Sequence, residues 1–232
     1  MAILNRGTIV TEVENVIDRS DLTTQIQTYV DWAQKRITRA HPWQELYNFD
    51  KTSLDTVTDT ETVSISSMTP SVRVILSLIL EDGASSRKLV KVLPRHWDKI
   101  LSDPSQYASA RSSWYTKKGS SLYLHPIPGA VYDLWISFLA WPALLTADGD
   151  IPDLTDKDDL IVTATALEAA YAVGDDADIK MWEARYKRLL GEAIMSDMED
   201  PDWSPVARGF DSGGGAYNIG EYWANPFVNE VS

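Results

Sequence analysis

His41, His96 and His125 are the only histidines of a 232-residue chain that holds 34 Asp and Glu residues and no cysteine. Thiol nucleophiles, disulfides and cysteine zinc sites are therefore excluded. None of the histidines has a ligand partner at HExxH spacing. His41-Pro42 and His125-Pro126 instead place two of them beside prolines, where turn or packing roles are expected. The chain has no G-x-S-x-G elbow, no GxxxxGK[ST] phosphate loop and no GxGxxG fingerprint. Asp148-Gly149-Asp150-Ile151-Pro152-Asp153 has the density of a calcium loop. Pro152 stands at its fifth position, however, Asp153 replaces the required glycine, and Asp159 replaces the terminal Glu. These acids read as a turn followed by a helix start. No catalytic residue, metal ligand or cofactor is assigned.

Two other patterns point to binding. Arg87, Lys88, Lys91, Arg95, Lys99, Arg111, Lys117 and Lys118 are opposed only by Asp98 and Asp103, so residues 87–118 carry +6 in a chain of −13 and the remainder carries −19. The overall acidity argues against wrapping nucleic acid in a basic face. The basic stretch is a candidate contact to a partner or a sister subunit. The second pattern lies in residues 201–232. With Gly209, Gly213, Gly214, Gly215 and Gly220 beside Pro201, Pro205 and Pro226, that backbone is not expected to hold a helix or regular strand unaided. Yet it carries Trp203, Phe210, Tyr217, Tyr222, Trp223 and Phe227. Large rings on such a strap are expected to order against another surface, so these six are the candidate partner-binding residues of a C-terminal arm. Folding back onto its own domain is the alternative. Nine tryptophans among many carboxylates would also suit a carbohydrate-binding or glycoside-hydrolase module, although Trp32, Trp43, Trp135 and Trp182 fall in regular elements.

The elements that position these residues follow from periodicity. A short helix over 8–17, with Thr8 as a possible cap, precedes a longer one over 21–40 capped by Ser20, whose apolar positions are Leu22, Ile26, Tyr29, Ala33, Ile37 and Ala40. Between Leu46 and Arg87, Thr, Ser, Val and Ile dominate. Val72–Leu80 reads as a strand apolar on both faces, with Lys88–Leu93 as its returning partner. Pro94 opens a short helix, residues 113–116 and 121–125 flank a Lys117-Lys118-Gly119 hairpin, and 132–141 is a further strand. Thr155 then caps a helix with Leu160, Ala164, Leu167 and Tyr171 as its stripe. Gly174 closes it, and a second helix presents Ile179, Trp182, Tyr186, Leu189 and Ala193. The expected fold is α+β: an antiparallel helix bundle with an inserted, mostly antiparallel β region and an extended C-terminal arm. Its divisions are N-terminal bundle helices over 1–45, the inserted region over 46–145, a helix hairpin over 146–198 that completes the bundle, and the arm over 199–232. Val72–Leu80, the longest nearly apolar run, is too short to span a bilayer, and the N-terminus does not read as a secretory signal.

Several stretches together resemble a known family. Asp18-Arg19-Ser20-Asp21-Leu22 with Ile26, Ala33, Ile37 and Arg39 is similar to the opening helix of tailed-bacteriophage head–tail adaptor proteins. Leu122-Tyr123-Leu124-His125-Pro126-Ile127-Pro128, then Tyr132-Asp133-Leu134, resembles the central strand pair, and Pro142-Ala143-Leu144-Leu145 with Ile151-Pro152 follows in order. The strongest likeness is Ala166-Leu167-Glu168-Ala169-Ala170-Tyr171-Ala172 running through Gly174-Asp175-Asp176 to Trp182-Glu183-Ala184-Arg185-Tyr186. These signatures span residues 18–196 and lie closest to adaptors of the tail-tubular-protein-A type. The resemblance implies no enzymatic activity. It implies a homo-oligomeric ring of about twelve copies between portal protein and tail nozzle protein, with genomic DNA passing through the channel without sequence-specific binding. It places the protein at the head–tail junction of the virion, in the host cytoplasm during assembly, and in contact with no membrane.

Overall fold

A computed structural model describes residues 4–83, 85–100 (backbone only for 98–100), 110–174 and 176–198. Helix α1 spans Arg6–Ile17. Its N-cap is Asn5, not Thr8: the Asn5 Oδ1 accepts the Thr8 amide at 2.9 Å, so Thr8 sits inside the first turn. The helix ends at Asp18, in the left-handed region with φ 51°. Helix α2 spans Thr23–Ala40 and begins at Leu22 without a side-chain cap. Ser20 does not cap it, and Asp21 falls outside it, held by Arg19 at 2.7 Å. The buried face of α2 is Ile26, Val30, Ala33 and Ile37, the expected spacing of three and four, while Ala40 is exposed.

A short 3-10 turn, Gln44–Leu46, leads into β1 (Tyr47–Asp50), followed by β2 (Thr62–Ser64), β3 (Val72–Glu81), β4 (Ser86–Lys88), β5 (Val90–Lys91), α3 (Pro94–Ile100), β6 (Trp114–Lys118), β7 (Ser121–His125) and β8 (Asp133–Ala140). These strands form two four-stranded sheets, ordered β1-β8-β3-β4 and β2-β7-β6-β5. The expected hairpin is present: β6 and β7 pair from Trp114 opposite His125 to Lys118 opposite Ser121, turning through Gly119 at φ 61°. The partner expected for β3 is divided. Only Ser86–Lys88 returns along β3, whereas Val90–Lys91 joins the other sheet and pairs parallel to β6. Leu89 alone lies between them; its amide bonds the Leu78 carbonyl of the first sheet at 2.8 Å, and the next amide, of Val90, bonds Ser113 beside the second at 2.9 Å. Alternation along β8 sends Leu134, Ile136 and Phe138 inward to meet Leu78 and Leu80 of β3 and Leu122 and Leu124 of β7 in one core.

Helix α4 (Asp158–Val173) begins after Lys157, not Thr155, because Asp156 takes a left-handed conformation with φ 58° just ahead of it. It was expected to show one apolar stripe. Leu160, Ala164 and Leu167 of that stripe are buried, but so are Ile161, Thr163, Thr165, Ala166, Ala169 and Ala170, while Tyr171 is exposed. Small residues allow neighbours to approach α4 from several sides. It closes at Gly174, φ 82°, whose N–H bonds the Ala170 carbonyl at 2.9 Å. Helix α5 (Asp176–Met198) buries only Trp182 fully. Side chains from α1, α2, α4 and α5 share a second core, which meets the first sheet at Leu139.

Candidate functional site

Two of the three histidines are engaged with neighbours, whereas His96 is exposed on α3. His125 is buried, stacked on Trp114 with centroids 5.5 Å apart and planes 3° from parallel; burial pushes its pKa down, with the Glu61 charge opposing. His41 Nε2 lies 2.9 Å from Asp197 Oδ2. In the Asp148–Asp153 turn, Asp150 accepts the Thr146 and Ala147 amides at 2.7 and 2.8 Å, which hold its pKa below the usual carboxylate range, and Asp153 accepts the Ala143 amide at 2.7 Å. Their oxygens serve the turn, and among the described residues no group of three His, Asp or Glu is placed to hold a metal ion. Trp43, Trp97 and Trp182 are core residues.

The basic stretch is distributed. Arg87 and Lys88 are exposed on β4 at the edge of the first sheet; Lys91 is exposed on β5 of the second; Arg95 is exposed on α3, and Lys99 lies on the same helix with its side chain outside the described residues. Arg111 is turned inward, 2.8 Å from Asp82 and bonded to Ser85. Lys117 is half-buried, donates to the Val72 carbonyl at 3.3 Å, and has its pKa lowered first by burial and then by the nearby Lys91 charge. Lys118 lies over the Tyr123 ring at 5.2 Å. The structure brings Lys91 and Lys117 together and leaves Arg87 and Lys88 on the other sheet. Trp203, Phe210, Tyr217, Tyr222, Trp223 and Phe227 lie outside the described residues.

A different site is assembled where α2, α4 and α5 meet. A groove of about 850 Å³ is lined by Trp32, Lys35, Arg36 and Arg39 of α2, by Glu168 and Tyr171 of α4, and by Glu183, Tyr186 and Lys187 of α5. Arg36 is its centrepiece. Its guanidinium lies 5.9 Å from the Tyr171 ring centroid and 5.8 Å from that of Tyr186, and is 3.0 Å from Glu168. The Tyr171 hydroxyl donates to Glu183 at 2.5 Å, which raises the phenol pKa, while burial raises that of Tyr186. At the groove's end Arg39 meets Arg73 of β3 over one indole: their guanidinium carbons lie 5.7 and 5.6 Å from the Trp141 centroid. Burial and the Arg39 charge both lower the Arg73 pKa, and the Arg73 Nη1 is buried without a hydrogen-bond partner. Among the described residues Lys35, Arg39 and Arg73 have no carboxylate partner, whereas Arg36 and Lys187 do.

Sequence reasoning missed this groove although a signal was present. Trp32, Lys35, Arg36 and Arg39 stand at i, i+3, i+4 and i+7, a second stripe on α2 beside the apolar one. The contributions of Arg73 and Trp141 depend on tertiary packing and leave no local pattern.

A second surface lies on the outer face of the first sheet. Phe49 and Val74 are exposed there, opposite Ser137 and Leu139 of β8, and the Lys51 ammonium sits 4.5 Å from the Trp135 ring centroid. Residues 4–209 match the family model described as SU10 adaptor protein. No curated protein matches the chain.

Proposed function

The chain belongs to the SU10 adaptor protein family, a family of structural phage adaptors and not of enzymes, and on that premise we propose that it works as a ring-forming coupling at the head–tail junction. Copies close head to tail into a ring of about twelve between portal protein and tail nozzle, of the tail-tubular-protein-A kind, and the genome passes through the centre. On this reading helices from residues 1–45 and 146–198 act as one bundle, residues 46–145 are its insertion, and 199–232 are an arm that grips portal through Trp203, Phe210, Tyr217, Tyr222, Trp223 and Phe227. The exposed bases of β4, β5 and α3 contact a sister subunit or the nozzle. The acidic excess of the chain lines the channel, where repulsion of phosphate lets DNA slide without sequence-specific contact. Assembly takes place in the host cytoplasm and the finished ring is part of the virion, away from any membrane; among the described residues no helix is long and apolar enough to cross one.

The observation that carries this reading is the family match over residues 4–209. The carbohydrate module is not favoured, because the family matched over residues 4–209 is one of structural phage adaptors. Electron microscopy of the particle tests the proposal: density for this fold repeated around the axis between portal and nozzle is expected, and its absence from the junction refutes it. Truncation after Met198 should leave the melting transition intact and weaken attachment to portal. Equal attachment by the truncated chain would remove the arm assignment.

A further inference from the structure

The groove between α2, α4 and α5 is positively charged on a chain that is −13 overall. Its lining residues together with Arg73 comprise five bases and two acids, a local +3. The two acids are already engaged, Glu168 with Arg36 at 3.0 Å and Glu183 with Lys187 at 3.6 Å, so the unmatched charge belongs to Lys35, Arg39 and Arg73. Arg39 and Arg73 both approach the Trp141 ring, the Arg73 Nη2 donates to the Arg39 carbonyl at 3.5 Å, and among the described residues the Arg73 Nη1 has no acceptor. Two guanidiniums so placed match a carboxylate, or two neighbouring ones. Beside them Trp32 is 52% exposed and Tyr171 42% exposed, leaving ring surface uncovered. The complementary ligand is a peptide with clustered carboxylates and an aromatic ring a short distance away.

One stretch of this chain has that composition. Residues 199–211 read EDPDWSPVARGFD: four acids and one base, −3 in total, with Trp203 and Phe210 and two prolines that limit the conformational entropy lost on binding. The family match runs to residue 209, inside this stretch, so most of it belongs to the part of the chain the family shares. A cationic groove and an acidic segment on every copy are two different complementary surfaces, which is what a contact that closes head to tail requires.

We propose that the Arg39–Arg73–Trp141 clamp and the adjoining groove take the acidic segment 199–211 of a neighbouring copy, with Asp200 and Asp202 on the two arginines and Trp203 against Trp32 and Tyr171. The inference rests on the ring reading given above and assigns a role to the first third of the arm; the rings from Tyr217 onward stay available to portal.

The test uses the full chain. Unlabelled and nitrogen-15-labelled R39K proteins are mixed at a concentration where sedimentation shows self-association, then joined with a zero-length carbodiimide. The expected result is an amide bond between position 39 and Asp200 or Asp202 in mixed-isotope pairs. An R39E/R73E protein with an unchanged melting curve should self-associate roughly tenfold more weakly, and adding D200K/D202K should restore association. Links confined to one isotope show the segment on its own copy and overturn the proposal. Links to other carboxylates, no links, no self-association, or no rescue by the charge swap also overturn it. If particles still show the chain at the head–tail junction after such a failure, only the groove assignment falls. If wild-type protein is missing from the junction, the adaptor reading falls as well.

Discussion

Lys157 makes the sharpest prediction about stability, because it is a buried cation serving several elements at once. It lies just before α4, only 8% exposed, with its ammonium on Glu45, 4.0 Å from Asp197 Oδ1 and 4.8 Å from the centroid of the Trp43 ring. Asp197 near the end of α5 also meets His41 after α2, and its carbonyl accepts the Gln44 side-chain amide at 2.9 Å. The lysine therefore holds the last turn of α5 to the link between α2 and β1. Replacing Lys157 with Met keeps the length and apolar character of the side chain and removes the charge, leaving two carboxylates facing each other. Loss of one partner from a buried pair costs about 3–5 kcal/mol. The Glu45 side chain is 22% exposed and can draw in water, so the lower end applies: we expect about 3 kcal/mol, or a melting point lower by about 6–12 °C for a fold of this size. Removing the facing acid as well, in K157M/E45M, should recover about half of that loss, since the remaining penalty is largely an unpaired charge. Urea unfolding followed by tryptophan fluorescence, with the slope checked for constancy, measures both. A K157M loss below about 1 kcal/mol, the worth of a solvent-exposed ion pair, would refute the reasoning.

Two further outcomes follow from the packing. Ala166 is fully buried in the middle of α4, and added methylenes in a close-packed interior force shifts, so A166L should destabilise by about 1–3 kcal/mol, read as a lower urea midpoint. His125 has its pKa depressed by burial, so the unfolded chain binds its proton more readily than the folded one. The stability it contributes is present above pH 6.5, its ordinary value, and is lost as pH falls from there through the lower folded-state value. Melting curves between pH 7.5 and 5 should therefore fall less steeply for H125Q than for the native chain, and equal slopes would dismiss His125 as the source.

What the sequence revealed and what it concealed divide along physical lines. The Lys117-Lys118-Gly119 turn and the cap at Gly174 were legible because a positive φ leaves a local signature. The strand β3 was legible because its run is nearly all apolar, broken only by Arg73 and Ser77. The switch of sheet after Lys88 was not, since a two-residue strand such as Val90–Lys91 has no periodicity to read. The encirclement of α4 escaped notice because alanine and threonine score weakly in a hydrophobic pattern even when fully buried. Lys157 was invisible as a core residue because its burial depends on Glu45 and Asp197, 112 and 40 positions away. The α2 stripe of Trp32, Lys35, Arg36 and Arg39 was readable in principle, but a polar face is ordinarily a solvated one, and only the rings of Tyr171, Tyr186 and Trp141 distinguish it.

The crossing at Leu89 has a mechanical consequence. Two successive backbone amides, on residues whose Cα atoms are about 3.8 Å apart, are each fastened to a different layer. A shearing load on either layer therefore travels into the other along covalent bonds, with no slack loop to absorb it. The two layers are thus coupled at this point, and strain placed on one is expected to reach the other.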